Sequence, residues 1–235
     1  DLVRTSKDIF SQKREKFIFI IDEWDSIFRV HRDNATAQKE YLDFLRDLLK
    51  GQPYVALAYM TGILPIKKYG QHSALNMFDE FTMLSAGVFA PYIGFTNDEV
   101  RLLCSNYNRD YEKVKRWYDG YILEEYQVYN PKAVVSVMLK GTFKSYWSET
   151  ASYDAIVPLI NMNYDGLKTA IIEMLSGDKV KVNVATFRND TVNFKNKDDV
   201  LTYLIHLGYI GYDDVRNAAF IPNEEIRQEL KNAVE

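Results

Sequence analysis

The stretch Phe17-Ile18-Phe19-Ile20-Ile21-Asp22-Glu23-Trp24-Asp25 decides the fold. Five apolar residues run without a break and end in two carboxylates. A strand of a parallel sheet reads as such a run because helices cover both of its faces. Ligands of open α/β sheets sit beyond the carboxyl ends of the strands. An acid pair at that end has the Walker B pattern of a P-loop NTPase. In that pattern the first acid, Asp22, holds Mg²⁺ and the second, Glu23, orients a water. The same residues also read as a buried strand that simply stops, with Asp22 capping the helix that follows. Asp25 is a third acid close by. It reads either as a nucleotide-side residue or as an exposed first-turn acid favoured by the helix dipole.

Downstream, Tyr41, Leu42, Leu45, Leu48 and Leu49 recur at helical spacing over 36–50, with Gly51 as the stop. Residues 54–60 form a second apolar strand that ends at Thr61-Gly62. Strand, helix and strand make a βαβ unit, which is parallel and right-handed. Thr61 then lies level with Asp22, where a hydroxyl can sense a γ-phosphate; its plainer reading is a strand-end threonine bonded to backbone. Lys67 and Lys68 follow, as phosphate contacts or as solvated loop residues. A short strand is expected over 81–86. The phosphate-gripping pattern G-x-x-x-x-G-K-[ST] is missing, since none of the eleven glycines precedes a lysine. The opening Asp1-Leu2-Val3-Arg4 is neither a methionine start nor a signal peptide. The missing loop is therefore expected upstream.

After Gly94 the pattern turns helical. Asn97 is the expected cap of a helix carrying Val100, Leu103, Cys104 and Tyr107. Helices are also expected over 110–118, from Asn130-Pro131 onward, near 153–161 and over 164–175. Strands are expected at 126–129 and 179–184. A helix over 198–207 precedes two short strands around a polar turn, and Asn223 caps a final helix. Helices followed by a β-hairpin suggest a winged-helix module. The expected architecture is α/β: a truncated parallel sheet of the P-loop NTPase type over 1–95, a helical region over 96–150 and a helical, winged-helix-like module over 151–235.

Composition sets limits. A net charge of −4 argues against a general polyanion binder. Cys104 stands alone, which excludes an internal disulfide and a cysteine metal cluster and fits a reducing cytoplasm. No apolar run approaches the ~20 residues that cross a bilayer. His31, His72 and His206 share no metal-ligand spacing. The acid-x-lysine triplet of a nuclease strand appears only as Glu229-Leu230-Lys231, in an expected surface helix, which argues against nuclease chemistry within this chain. The hairpin turn carries Asp213 and Asp214 against Arg216, a poor surface for phosphates.

Several stretches, in order, resemble the predicted AAA-ATPase-like family of bacteria. They are FIFIIDEWD (17–25), MTGILPIKKYGQHSALNMFDEF (60–81), YIGFTNDEV (92–100), VKRWYDGY (114–121), VYNPKAVVSV (128–137), SYWSETASYDAI (145–156), FRND (187–190), DDVLTYLIHLGYI (198–210) and FIPNEEIR (220–227). The resemblance implies a P-loop ATPase core, a helical region and a winged-helix-like end, with a PD-(D/E)XK-like nuclease domain often following. It implies ATP and Mg²⁺ as ligands of the complete protein, with none expected on this chain alone. Asp22 and Glu23 match the family's Walker B acids, and Thr61 the polar residue after its sensor strand. The P-loop strand of such cores lies beside the sensor strand, so its absence predicts repacking, a partner chain or a distorted sheet. Three functions compete: an ATP-dependent conformational switch, a nucleic-acid-associated module coupled to a nuclease, and an interaction scaffold with a decayed nucleotide site, whose contacts Trp117-Tyr118 and Tyr146-Trp147 would supply. Self-association is a further expectation. No arginine stands out as a finger, although Arg101, Arg109, Arg116 and Arg227 are available.

Overall fold

The computed structural model describes residues 1–31, 33–63, 65, 75–147, 160, 164–187 and 194–234. The expected helix near 153–161 and the residues Lys67, Lys68 and His72 lie outside them, Ile160 excepted. The protein is mixed α/β with small sheets, and no helix among the described residues is long and apolar enough to cross a membrane. Two compact units divide it: Asp1–Glu80, and Phe81–Phe187 with Asn193–Glu235.

The first unit opens with α1 (Leu2–Lys13), whose N-terminal amides Asp1 caps. Strand β1 (Phe17–Ile21) leads through α2 (Ser26–Val30) and α3 (Ala35–Leu49) to β2 (Val55–Met60). The strands pair in parallel, with Ile18 opposite Leu57 and Ile20 opposite Tyr59. Asn34 caps α3 through the Ala37 amide, and the chain leaves the helix by way of Gly51 at φ +66°, which only glycine adopts without strain. Leu45, Trp24 and Leu75 form the buried centre, with Ile21, Met60, Tyr41 and Phe28 packed around it. Tyr54, just ahead of β2, is fully buried and donates its hydroxyl to the Leu48 carbonyl at 2.8 Å.

Here the structure departs from the sequence expectation. The unbroken apolar run predicted a strand covered on both faces, but Ile18 is 64% and Ile20 75% exposed, with Leu57 and Tyr59 exposed beside them. Side chains alternate across a strand, and helices pack on one face only among the described residues. The pair keeps its register, apart from one irregularity between Phe17 and Ile18, and gains no third strand among the described residues. Residues 81–86 supply none. They hold only a bridge from Thr82 to Ser85 ahead of a 3₁₀ turn (Gly87–Tyr92), and they belong to the second unit.

The second unit joins what the sequence divided. Strand β3 (Phe95–Thr96), α4 (Asn97–Asn106), α5 (Tyr111–Tyr118), β4 (Tyr121–Leu123), β5 (Tyr126–Tyr129) and α6 (Pro131–Lys140) come first. Thr96, not Asn97, caps α4, in a reciprocal capping box with Glu99. The three strands form an antiparallel sheet in the order β3-β5-β4. Then follow α7 (Leu167–Leu175), β6 (Val180–Lys181), α8 (Lys197–His206), β7 (Gly211–Asp213), β8 (Ala218–Phe220) and α9 (Glu224–Val234), with antiparallel strand order β6-β8-β7.

The compact units divide after Glu80, while the expected domain boundaries stood at 95 and 150. Buried hydrogen bonds explain the fusion. Tyr121 donates its hydroxyl to the Gly208 carbonyl at 2.7 Å, and Asn223 Nδ2 donates to the Asp119 carbonyl at 2.8 Å. The buried Glu225 carboxylate accepts the backbone N–H groups of Tyr146 (2.7 Å) and Trp147 (3.2 Å). Gly120 makes the closest approach. Its φ is +111°, and a Cβ there would stand 2.1 Å from the Pro222 carbonyl oxygen. The WYDGY and FIPNEEIR stretches thus meet as one packing joint.

Candidate functional site

The site grows out of the β1–β2 ladder. Beyond the strand ends the ladder continues for one more exchange: Thr61 N–H donates to the Ile21 carbonyl and Trp24 N–H to the Thr61 carbonyl, each at 2.9 Å. These bonds hold the turn of residues 22–25 against Thr61. Asp22 does not cap α2. Its Oδ1 accepts hydrogen bonds from the Glu23 N–H at 3.0 Å and from the Thr61 hydroxyl. Strand geometry sends adjacent side chains to opposite faces, but the strand has ended here and Glu23 adopts φ +51° in the left-handed region. Asp22 and Glu23 are both exposed as a result.

Trp24 and Asp25 turn inward. Asp25 is 1% exposed, which corrects its reading as an exposed first-turn acid. Its Oδ2 accepts the Ile63 N–H at 3.2 Å and lies 3.4 Å from Arg29 Nε. Burial first, and the Asp25 charge second, push the Tyr41 hydroxyl above its ordinary pKa. Gly62 is needed for this closeness, since a Cβ there would lie 2.6 Å from the Trp24 ring and 2.9 Å from Asp25 Oδ1. Asp25 therefore clamps the loop after β2 onto the turn after β1. Replacing Asp25 with alanine removes the acceptor of the Ile63 amide and the acid beside Arg29 Nε. We expect a loss of about 2 kcal/mol, read by urea denaturation with tryptophan fluorescence; a change within ~0.5 kcal/mol would contradict the clamp.

Arg29 is the residue that sequence reasoning missed. Its Nη2 lies 3.3 Å from Glu23 Oε2, so one guanidinium touches two acids of the motif. The signal was its position four residues after Asp25, the spacing at which helical side chains meet. Three of the four arginines named from sequence serve elsewhere in the second unit. Arg101 stacks over Tyr111 at 4.2 Å, Arg109 donates to the Met138 carbonyl, and Arg227 donates to the Leu175 carbonyl. Among the described residues no three His, Cys, Asp or Glu side chains converge as a metal cage.

The chain is similar, at 25% identity over 152 residues, to an uncharacterized protein in the vnfD 5′ region of Azotobacter chroococcum mcd 1. The match covers 62% of this chain and 29% of that protein, so the chain spans less than a third of its relative's length. No family model and no solved structure matches the chain.

Proposed function

We propose that this chain is part of an AAA-like ATPase, in which Asp22, Glu23 and Thr61 form the hydrolytic end of an ATP-dependent conformational switch. One observation carries the reading: exposed Asp22 bonded to the Thr61 hydroxyl at the shared carboxyl end of two parallel strands, with exposed Glu23 beside it. Ligands of α/β sheets bind beyond that end.

The residues fit Mg²⁺ held with a triphosphate. Magnesium keeps several waters and takes one or two carboxylates together with phosphate oxygens, not an all-protein cage. Asp22 is such a carboxylate, and the Thr61 hydroxyl fixes its orientation. Magnesium with ATP would supply charge neutralisation at the transferred phosphoryl group. Glu23 orients the attacking water and receives its proton. Asp25 positions the turn and does not touch nucleotide. The bare face of the β1–β2 pair supports a sheet that gains strands and a covering helix, because parallel sheets are ordinarily buried on both sides. The phosphate-gripping loop then belongs to the remainder of the complete protein.

The strand order β6-β8-β7, with α7 before β6 and α8 before the hairpin, supports a winged-helix-like end. In such modules α8 has the place of the groove-reading helix. Residues 199–205 of α8 are all buried, and Asp213 at the hairpin engages Lys179 at 2.6 Å and Arg216 at 3.8 Å. Phosphate contacts need clustered free cations, so these features favour a packing or transmitting role over nucleic-acid reading.

The test is Glu23→Gln in the complete protein. Phosphate release should fall by ~10²–10⁴-fold, while calorimetry should still register ATP binding at unchanged affinity. A complete protein with an intact phosphate loop that binds no ATP would end this reading.

A further inference from the structure

We propose that the outer face of α6 is a docking surface for an acidic amphipathic helix of a partner protein. The surface lies in the second unit and uses none of Asp22, Glu23 and Thr61, so it stands apart from the ATPase reading. The first observation is a charge pattern. Acids outnumber bases in the chain, 33 to 29, yet no Asp or Glu occurs from Tyr126 through Ser148. Lys132, Lys140 and Lys144 all fall in that stretch.

The second observation is what α6 shows to solvent. Past Pro131 its exposed side chains are Lys132, Val135, Leu139 and Lys140, and no others. Val135 is 46% and Leu139 66% exposed. Lys132, Val135 and Leu139 follow at i, i+3 and i+7, which makes one stripe along the helix. The outer side of a surface helix is ordinarily polar and charged; this one sets two aliphatic side chains between two cations. No ion pair among the described residues engages Lys132 or Lys140. The same character continues past the helix end. Lys140 and Lys144 both stand over the buried Tyr146 ring, at 5.2 and 5.3 Å, and Lys113 of α5 stands over Phe143 at 4.3 Å. Phe143 packs in turn on Trp117 and Tyr118, which gathers these cations on one framework.

The chemistry selects the occupant. The apolar stripe of a docked helix, read at i, i+3 and i+7, covers Val135 and Leu139. Carboxylates flanking that stripe meet Lys132 at one end and Lys140 with Lys144 at the other. A nucleic acid strand suits the surface less. Methyl groups occupy its centre, where phosphates need cations, and the Tyr146 and Phe143 rings lie under lysines, closed to base stacking. A bilayer suits it less too, because two aliphatic side chains on a helix anchored in the core insert too little apolar surface.

The test uses the complete protein and a fluorescein-labelled helical peptide with leucines at i, i+3 and i+7 and glutamates on either side of them. Fluorescence anisotropy should register binding. Leu139→Ser should weaken it about tenfold, and the double charge reversal Lys132→Glu/Lys140→Glu at least as much. Both variants change exposed side chains only, and unchanged far-ultraviolet circular dichroism checks that they fold. Raising the ionic strength from about 0.05 to about 0.5 M should weaken binding several-fold. The same peptide with lysine in place of every glutamate should not bind. Failure of the glutamate peptide to bind overturns the proposal, and so does binding that neither variant weakens. Tighter binding of single-stranded DNA or of phosphatidylserine vesicles overturns it in favour of that occupant. A concentration-dependent dimer that Leu139→Ser breaks up does the same in favour of a second copy of the chain.

Discussion

Gly120→Ala should cost about 4 kcal/mol of unfolding free energy. Two terms add. An L side chain at φ +111° carries backbone strain of about 1–3 kcal/mol. Its Cβ would also stand 2.1 Å from the Pro222 carbonyl oxygen, which is backbone and not a flexible tip. Relieving that overlap costs about 1–3 kcal/mol more, because Asn223, the next residue, bonds the Asp119 carbonyl and caps α9 through the Ile226 amide. The joint cannot open without losing those bonds. Gly177→Ala is the control: its φ is +101°, yet nothing lies within 4 Å of its Cβ position. It should cost about 1 kcal/mol, the backbone penalty alone. Urea unfolding followed by circular dichroism reads both. Equal costs for the two variants would show that the Asp119-Gly120 turn does not dock against Pro222.

A second pair of variants should reveal two opposed pH dependences hidden in the second unit. Burial pushes the Glu225 carboxyl up to about 7, although the Tyr146 and Trp147 amides pull it down; the nearby Glu229 raises it further. Burial also pushes His206, beside Phe187, down to about 4. Between 4.5 and 7 the folded protein keeps the Glu225 proton that the unfolded chain has lost, so this contribution falls as pH rises through that window. Between 6.5 and 4 the unfolded chain protonates His206 while the folded one does not, so that contribution falls as pH drops. Each is worth about 3 kcal/mol, and across 4.5–6.5 they cancel.

Single substitutions separate them. Glu225→Gln keeps an acceptor for the two amides and removes the charge, so its stability relative to the unsubstituted protein should climb from pH 4.5 to 7. His206→Phe keeps the aromatic contact, and its stability relative to the unsubstituted protein should decline from pH 4 to 6.5. Unfolding free energies from urea at a series of pH values, taken as differences, remove the contributions of Asp43, Glu99 and Asp213, whose partners hold their carboxyls low in every variant. Difference curves that run flat would refute both assignments.

Much of the local structure was legible in the sequence because it rests on local rules. The apolar runs at 17–21 and 55–60 became strands, the leucine spacing before Gly51 became α3, and Asn130-Pro131 opened α6. Strand, cap and stop each depend on a few adjacent residues. The neighbourhood of Asp22 and Thr61 was legible too, since two parallel strands of similar length end level with each other. Burial was not. Periodicity says which residues share a face, and it does not say whether a second layer exists to cover that face. Ile18 and Ile20 therefore looked buried and are open, while Asp25 looked open and is sealed. Arg29 was hidden for a related reason: charged residues in a short irregular stretch read as solvated until their partners are placed.

From the chain alone came the strand–turn–strand frame, its acid pair and the threonine that meets it, because nearest-neighbour sterics and hydrogen-bonding chemistry are written into consecutive residues. Tertiary structure alone decided that Arg29 joins Glu23 to Asp25 and that the described residues of the second unit, on both sides of the expected boundary at 150, pack as one body through Gly120, Asn223 and Glu225. It also decided that α8 is a core helix. Each of those outcomes depends on which distant groups reach one another once water has been excluded, and no pattern of sequence spacing carries that information.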